Sequence, residues 1–270
     1  MGGSVYLKEY EGKWYPIDMG SENVHSRLLR LFVPQEPPEA GGVCALSDRQ
    51  AHYLRNVMRA EVGQNLRVFD GTSGEWLAQI KELNKKNALV SFVEKIREQV
   101  NSPDIYVLAS PVKKEAFDFM IEKASELGAK AFQPIICNRT VIQRVNEDRL
   151  QTQAVEAAEQ CERLDVMRIL PIKPLKDVLE SLPLDKKLIF CIERAQAPMI
   201  IQRLQGGDIR PPLAVLIGPE GGFSPEEAER VSALPQALPV SLGPRILRAE
   251  TALVSALTCV QGLVGDWSSK

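Results

Sequence analysis

Two loops near the carboxyl end of the sequence combine residue types that can bind a small molecule. Residues 217–227 read IGPEGGFSPEE and residues 242–252 read LGPRILRAETA. Glycine lets a backbone adopt positive φ and approach a ligand closely, while proline stiffens a turn. In the second loop, apolar Ile246 and Leu247 can wall a flat base, with Arg248 and Glu250 supplying charge beside it. Together these loops indicate a pocket for a neutral or zwitterionic small molecule, bound largely by main-chain groups.

The nucleotide-binding motifs that such glycines first suggest do not fit. A P-loop requires a lysine after its glycines, and the dinucleotide motif requires GxGxxG; neither pattern occurs here. Ser224 with Glu227 forms a capping box, and Pro225 suits the first helical position, so a helix is predicted to begin there. A purely structural interpretation stays open for each loop: an ordinary strand-to-helix turn, with Arg248 paired to Glu250.

The segment after residue 104 alternates apolar strands with helices, and this order positions both loops. Such alternation predicts a parallel α/β sheet covered on both faces, with ligands bound at the carboxyl ends of the strands. A terminal helix is predicted from Ala249, directly after the second loop. The predicted strands are residues 105–110, 131–137, 166–172, 187–193, 213–218 and 238–242.

The segment 27–97 has a different pattern, with short strands and polar turns that predict a small β-rich barrel. Ser47 and Asp48 can cap a helix reaching about Met58, which would place Arg55 and Arg59 on one helical face. Residues 98–104, polar and with a proline, are the predicted domain boundary. Residues 1–26 carry no periodic pattern and are either a native arm or an added leader.

Composition indicates a folded globular protein and argues against binding through bulk charge. Of 270 residues, 44% are hydrophobic and 25% charged, with a formal net charge of −2. Residues 27–97 nevertheless hold 11 Lys and Arg against 8 Asp and Glu, a local balance of +3. This segment is therefore the predicted contact for a polyanion, although an ordinary solvated surface has the same charge pattern.

Cysteine spacing and hydropathy indicate the cellular compartment and argue against metal and membrane binding. Five isolated cysteines, with no CxxC pair and no clustered histidine, argue against a zinc site, and we expect no metal. Scattered thiols fit a reducing cytoplasm. The longest apolar stretch, residues 251–264, is too short and too interrupted to span a bilayer. We therefore expect a cytoplasmic protein without membrane contact.

Further motifs occur in a fixed order along residues 27–263 and complete a family pattern. They are RLLRLFV at 27–33, HYLRNVMR at 52–59, EKASELG at 122–128 and EAAEQCER at 156–163. With the two glycine loops, the set resembles the SPOUT class of S-adenosylmethionine-dependent RNA methyltransferases. More narrowly, it resembles the family that methylates N3 of a uridine in 16S ribosomal RNA.

The resemblance implies a fold, a cofactor and an assembly. The expected fold is α/β: a PUA-like RNA-binding barrel over 27–97, followed by a SPOUT methyltransferase domain over 105–270 with a carboxyl-terminal trefoil knot. S-adenosylmethionine is the implied cofactor, the small ribosomal subunit the implied partner, and a homodimer the implied working unit. The implied cofactor-binding residues are Leu216, Ile217, Gly218, Pro219, Glu220, Gly221, Gly222, Leu242, Gly243, Ile246, Leu247, Arg248 and Thr251.

Residue roles follow from the chemistry of that reaction. N3 of uridine is nucleophilic only after losing its proton, so we expect Arg248 to stabilise the uracil anion. Glu159, Glu250 or water would take the proton, unless Glu159 belongs to a helix network that only orders the fold. The predicted RNA contacts are Arg27, Arg30, His52, Arg55 and Arg59. Two alternatives remain: a SPOUT ribose 2′-O-methyltransferase acting on ribosomal or transfer RNA, and a non-catalytic RNA-binding or ribosome assembly factor.

Overall fold

The chain packs into two compact units. A computed structural model describes residues 7–10, 13–16, 25, 28–34, 39–84, 87–193 and 197–268. One unit comprises Met1–Val68 with Glu75–Ile96, and the other Phe69–Gly74 with Arg97–Lys270. Residues 69–74 thus group with the second unit although they lie between two segments of the first.

The first unit is β-rich, as its short strands predict. A hairpin lies within residues 1–26, where no pattern predicts strands: Leu7 pairs with Pro16 and Tyr10 with Lys13 in antiparallel register. The strands of this unit are β1 (Leu7–Tyr10), β2 (Lys13–Pro16), β3 (Arg30–Phe32), β4 (Val43–Ala45), β5 (Asn65–Phe69), β6 (Glu75–Leu83) and β7 (Ala88–Arg97). The last five form one sheet in the order β3-β5-β6-β7-β4 around buried apolar side chains, including Phe92 and Leu54.

The helix of this unit begins as predicted but ends differently. Ser47 caps α1 (Asp48–His52) through a capping box with Gln50. The chain then widens into a π-helical turn over Tyr53–Val57, where hydrogen bonds span five residues instead of four. Arg59 follows with φ of +52°, outside any helix. The prediction that Arg55 and Arg59 share one α-helical face is therefore wrong.

The second unit is built on a parallel sheet. Its strands are β8 (Ile105–Ala109), β9 (Ala131–Ile136), β10 (Arg168–Ile169), β11 (Lys173–Pro174), β12 (Lys187–Cys191), β13 (Leu213–Ile217) and β14 (Ala237–Val240). They lie in the order β10-β9-β8-β13-β12-β14, with β11 also paired to β9. Alternate residues of each strand face opposite sides: Val107 joins one apolar cluster and Leu108 the other. The parallel, doubly covered sheet predicted from the alternation is confirmed.

Helices cover both faces of this sheet. The first four are α2 (Lys114–Glu126), α3 (Glu147–Gln160), α4 (Leu175–Glu180) and α5 (Ile200–Leu204), and the last two are α6 (Pro225–Ser232) and α7 (Ala249–Val264). Side chains of α2, α3, α5 and α7 join one apolar cluster, and those of α4 and α6 join the other. Helix α7 contacts α2, α5 and β13, so the second glycine loop leads into a helix anchored in the core. The trefoil knot stays a prediction.

Candidate functional site

The first glycine loop leaves β13 at the carboxyl edge of the sheet and enters α6. Leu216 and Ile217 are buried at the end of the strand, so they offer the loop's ligand side only backbone groups. A turn closes from the N–H of Gly222 to the carbonyl of Pro219 at 2.8 Å, and Gly222 has φ of +68°. Glu220 and Gly221 are exposed. The predicted capping box is confirmed: Ser224 caps α6 and Glu227 caps Ser224 in return.

The loop is also held from outside, by residues that no sequence pattern points to. Asn138 and Arg139, in the turn after β9, donate hydrogen bonds to the capping residues and to the carbonyl of Gly221. On the inner side, Phe223 packs edge-on against Phe190 of β12, with ring centroids 5.1 Å apart. A side chain at Gly218 would meet that Phe223 ring at 2.7 Å. Gly218 is therefore required by packing.

The second glycine loop joins β14 to α7 and is tied to the chain after β12. Ser241 donates its N–H to the carbonyl of Pro198 at 2.9 Å and accepts from the N–H of Ile200 at 3.0 Å. Gly243 has φ of +120°, and its N–H donates to Oγ of Ser241. Parallel β12 lies between β13 and β14, so both glycine loops leave the same edge of the sheet.

The residues expected to do chemistry are concentrated at the start of α7. Arg248 is the N-cap residue and is exposed, while Glu250 in the first turn is half-buried. Among the residues that the structure describes, neither side chain forms an ion pair, so the alternative in which Arg248 pairs with Glu250 is not what the structure adopts. Ile246 is 61% exposed, and Leu247 and Leu242 are half-buried. Thr251 is exposed on the same first turn.

Each loop has one glycine with positive φ, Gly222 in the first and Gly243 in the second, and the space beside each of them is open. A Cβ built on Gly222 or Gly243 meets no described atom within 4 Å. Gly243, exposed Ile246 and half-buried Leu247 lie together on the second loop, and buried Pro219 stiffens the first. An open cradle of backbone groups with apolar side chains fits a small molecule that has a flat base and a zwitterionic end.

Two cysteines, Cys137 directly after β9 and Cys191 at the end of β12, have unreactive thiols. Burial raises the pKa of Cys137 to about 12, and the nearby Glu227 carboxylate adds to the shift. Burial likewise raises the pKa of Cys191 to about 12, with Cys259 adding to it. Such thiols stay protonated at neutral pH and are poor nucleophiles. No disulfide bond joins any of the five cysteines.

Glu159 does not share the edge of the sheet where the loops lie. Helix α3 returns from the end of β9 to the start of β10, and Glu159 lies in its last turn. The neighbouring Arg163 donates to the carbonyls of Ser125 and Ala129, directly before β9 begins. Within one chain, Glu159 therefore lies at the amino edge of the sheet. The prediction that it joins the loops' site is wrong for a single chain, because the length of α3 separates the two edges.

The residues predicted to contact RNA in the first unit differ in how exposed they are to solvent. Arg27 lies outside the described residues. Arg30 is only 5% exposed and forms an ion pair with the fully buried Glu75, so it is not the surface contact predicted. Arg55 is half-buried and donates to the carbonyl of Asn84 at 2.8 Å. His52 and Arg59 are exposed. Arg30 is drawn inward because Glu75, on a buried strand position, needs a cationic partner.

Two possible features are absent from the part of the chain that the structure describes. No group of three or more His, Cys, Asp or Glu side chains is arranged to hold a metal ion. Within the same residues, no helix is both long enough and apolar enough to cross a bilayer.

Comparisons with known proteins match both units. The RNA methyltransferase domain family matches residues 100–261, and the RNA methyltransferase PUA domain family matches residues 46–93. A ribosomal RNA small subunit methyltransferase E from Synechocystis is 32% identical over 254 residues, covering 92% of this chain and 82% of that relative. The protein of the same description from Rickettsia conorii is 29% identical over 232 residues, covering 86% of this chain and 94% of that relative.

Solved structures of methyltransferases are also similar to this chain. A ribosomal RNA small subunit methyltransferase E from Neisseria gonorrhoeae, bound to S-adenosyl methionine, superimposes with a TM-score of 0.78 at 30% identity. A putative methyltransferase from Legionella pneumophila, in complex with the same cofactor, gives 0.79 at 29% identity. Each comparison covers 89% of this chain and 99% of the other.

The parallel sheet with its two glycine loops, preceded by a PUA-like unit, defines an RNA methyltransferase. The similarity extends over almost the whole chain and both units. The chain belongs to the ribosomal RNA small subunit methyltransferase E family.

Proposed function

We propose that this enzyme transfers a methyl group from S-adenosylmethionine to N3 of a uridine in 16S ribosomal RNA. The observation that carries the proposal is the pair of glycine loops at one edge of the sheet, in a chain whose SPOUT-like pattern ends in LRAETA. The cofactor-bound structures from Neisseria and Legionella support the choice of methyl donor.

The backbone of both loops would hold the cofactor. Residues 218–222 and Leu242–Gly243 supply main-chain donors and acceptors, while Ile246 and Leu247 wall the adenine ring. S-adenosylmethionine, when bound, supplies a methyl group on a positively charged sulfur. Since that cofactor carries its own cation, a site with exposed Glu220 and without a lysine suits it better than it suits a nucleotide phosphate.

Arg248 and Glu250 are assigned to the uracil. The exposed guanidinium of Arg248 would donate to O2 or O4 of the base and favour the form without its N3 proton. Glu250, in the first turn of α7, or a water molecule would accept that proton. Glu159 keeps a catalytic role only if a second copy of the chain brings it to the loops.

We also propose a homodimer in the cytoplasm. The resemblance to the SPOUT class implies a site completed by a second chain, and the 61% exposure of Ile246 beside Arg248 leaves room for one. Size-exclusion chromatography with light scattering should then give about twice the chain mass of 30.0 kDa. A monomer at working concentration would reject the dimer.

The decisive experiment tests transfer and product together. Small ribosomal subunits lacking modification are incubated with the enzyme and methyl-labelled S-adenosylmethionine, and the RNA is digested to nucleosides. The proposal expects label in N3-methyluridine. Label in 2′-O-methylnucleosides would select the ribose methyltransferase instead, and cofactor binding without transfer would select a non-catalytic assembly factor.

A further inference from the structure

The turn that follows β9 is unusually well anchored for an exposed connection. The N–H of Thr140 donates to the carbonyl of Cys137 at 3.0 Å, and Oγ1 of Thr140 accepts from the N–H of Cys137 at 2.8 Å. The Thr140 hydroxyl also contacts that of Ser110, which follows β8. Ser110 is fully buried, and its N–H donates to the carbonyl of Ile217 at 3.2 Å. The turn is thus fixed to the ends of both β8 and β13.

This anchoring projects Asn138 onto the start of α6. Its N–H donates to Oε1 of Glu227 at 2.7 Å, and its side-chain amide donates to Oγ of Ser224 at 3.0 Å. The other oxygen of Glu227 accepts from the N–H of Ser224 at 2.9 Å. One buried carboxylate therefore joins the helix cap to the β9 turn.

Arg139 reaches the middle of the first glycine loop. Its Nη1 donates to the carbonyl of Gly221 at 2.8 Å, and its stem lies flat on that glycine. A Cβ at Gly221 would sit 3.3 Å from Cβ of Arg139, so the contact leaves little room for a side chain there. Among the described residues, this contact and the turn between Gly222 and Pro219 fix the backbone at the exposed tip of the loop.

We propose that Asn138 and Arg139 are positioning residues that hold the first glycine loop in its cofactor-binding shape. Neither needs to touch the reacting atoms: Asn138 fixes where α6 begins, and Arg139 fixes the direction of the Gly221 carbonyl. A loop that is already ordered loses less conformational freedom on binding, so these contacts raise cofactor affinity. The inference rests on the proposed function, because it names S-adenosylmethionine as the ligand.

The test compares Arg139→Ala with Arg144→Ala, which removes an exposed arginine of the same segment. Removing the charged donor to Gly221 should weaken S-adenosylmethionine binding about five- to tenfold, measured by calorimetry, with the turnover number at saturating cofactor unchanged. Arg139→Lys, which keeps one donor and the charge, should recover part of the affinity. Arg144→Ala should match the wild type.

A second measurement works without cofactor or RNA. Hydrogen exchange of the backbone amides at residues 220–224 should accelerate in Arg139→Ala and not in Arg144→Ala. Unchanged exchange and affinity in Arg139→Ala would overturn the inference, and so would a fall in turnover with unchanged cofactor affinity. If wild-type protein binds no S-adenosylmethionine, the proposed cofactor is wrong, while the exchange comparison still decides whether the loop is held by Arg139.

Discussion

Arg248 combines two sources of positive potential at one point. As the N-cap residue of the 16-residue helix α7, it stands beside backbone N–H groups that have no partner within the helix. The helix dipole places partial positive charge at that same end. An exposed guanidinium there can swing toward a ligand without breaking an ion pair to any residue that the structure describes. Both effects favour a uracil that has lost its N3 proton.

Replacing Arg248 with alanine should therefore reduce turnover by roughly a hundredfold, the loss typical of removing one donor to a developing anion. Cofactor affinity should change little, because the loop backbone supplies most of those contacts. Arg245→Ala is the matched control, since Arg245 is exposed on the same loop. Methyl transfer and calorimetry check the pair; a collapse of cofactor binding with normal turnover at saturation would contradict the role.

Gly222 tests whether the open side of the first loop faces the cofactor. At its φ of +68°, alanine costs roughly 1 kcal/mol of strain, and the new methyl group projects into space where no atom of the described residues lies within 4 Å. We expect Gly222→Ala to weaken cofactor binding about tenfold or more, because the methyl group occupies ligand space in addition to straining the loop. Gly206→Ala, at an open position without positive φ, should bind normally in the same titration.

At the scale of elements, local sequence patterns predicted where strands and helices lie, but they did not predict contacts between residues that are far apart in the sequence. Apolar runs and the Ser224 capping box are written in neighbouring residues, so the strands and the start of α6 were predictable. The contacts of Asn138 and Arg139 with the glycine loop join residues more than eighty positions apart, and no spacing encodes them. The sequence did not predict the burial of Arg30 for the same reason, because its partner Glu75 lies on another strand.

The EAAEQCER motif illustrates the same limit. Its arginine, Arg163, joins Asp165 to Ser102, the residue that leads into β8, with distances of 2.8 Å to Ser102 Oγ and 3.1 Å to Asp165. Ser102 Oγ in turn donates to Asp165 at 2.9 Å. This network orders the amino edge of the sheet. The structural alternative for the motif therefore accounts for Arg163 without any catalytic role.

That network predicts a pH-dependent stability. Burial alone would raise the pKa of Asp165, but hydrogen bonds and charge from Arg163, with further bonds from Ser102, outweigh it and hold the pKa below its ordinary value. A lowered pKa in the folded state gives stability that is present above about pH 4 and is lost as pH falls through the folded value. Asp165→Asn should cost roughly 2 kcal/mol at pH 7, because Arg163 loses the carboxylate with which it forms an ion pair.

Urea unfolding at several pH values checks this prediction. The gap between wild type and Asp165→Asn should narrow as the pH falls below about 4, because the unfolded wild type then binds a proton that the folded carboxylate does not yet bind. Asp208→Asn, at an exposed loop position, serves as the control and should leave the free energy of unfolding unchanged. A gap that is constant with pH would mean that the charge of Asp165 contributes nothing.

At the scale of the whole molecule, charge is distributed unevenly along the sequence. The segment 27–97 has a balance of +3 while the chain as a whole has −2, so we expect this segment, more than the rest of the chain, to attract RNA. The net charge hides this uneven distribution because opposite balances cancel. Sequence arithmetic located the basic segment, but not which arginines face solvent: Arg30 and Arg67 are buried, at 5% and 3% exposure.

The salt dependence of RNA binding measures what remains exposed. If Arg55 and Arg59 each neutralise one phosphate, replacing both with alanine should reduce the slope of log affinity against log salt by about 1.4, which is about 0.7 per contact on single-stranded RNA. Arg168→Ala with Lys187→Ala removes equal charge from the amino edge of the sheet and is the control. Because Arg55 also holds the carbonyl of Asn84, thermal unfolding of the double variant is measured beside binding. If both double variants lost the same amount of salt-dependence slope, RNA affinity would depend on the total charge of the protein. The arginines of the first unit would then not be specific phosphate contacts.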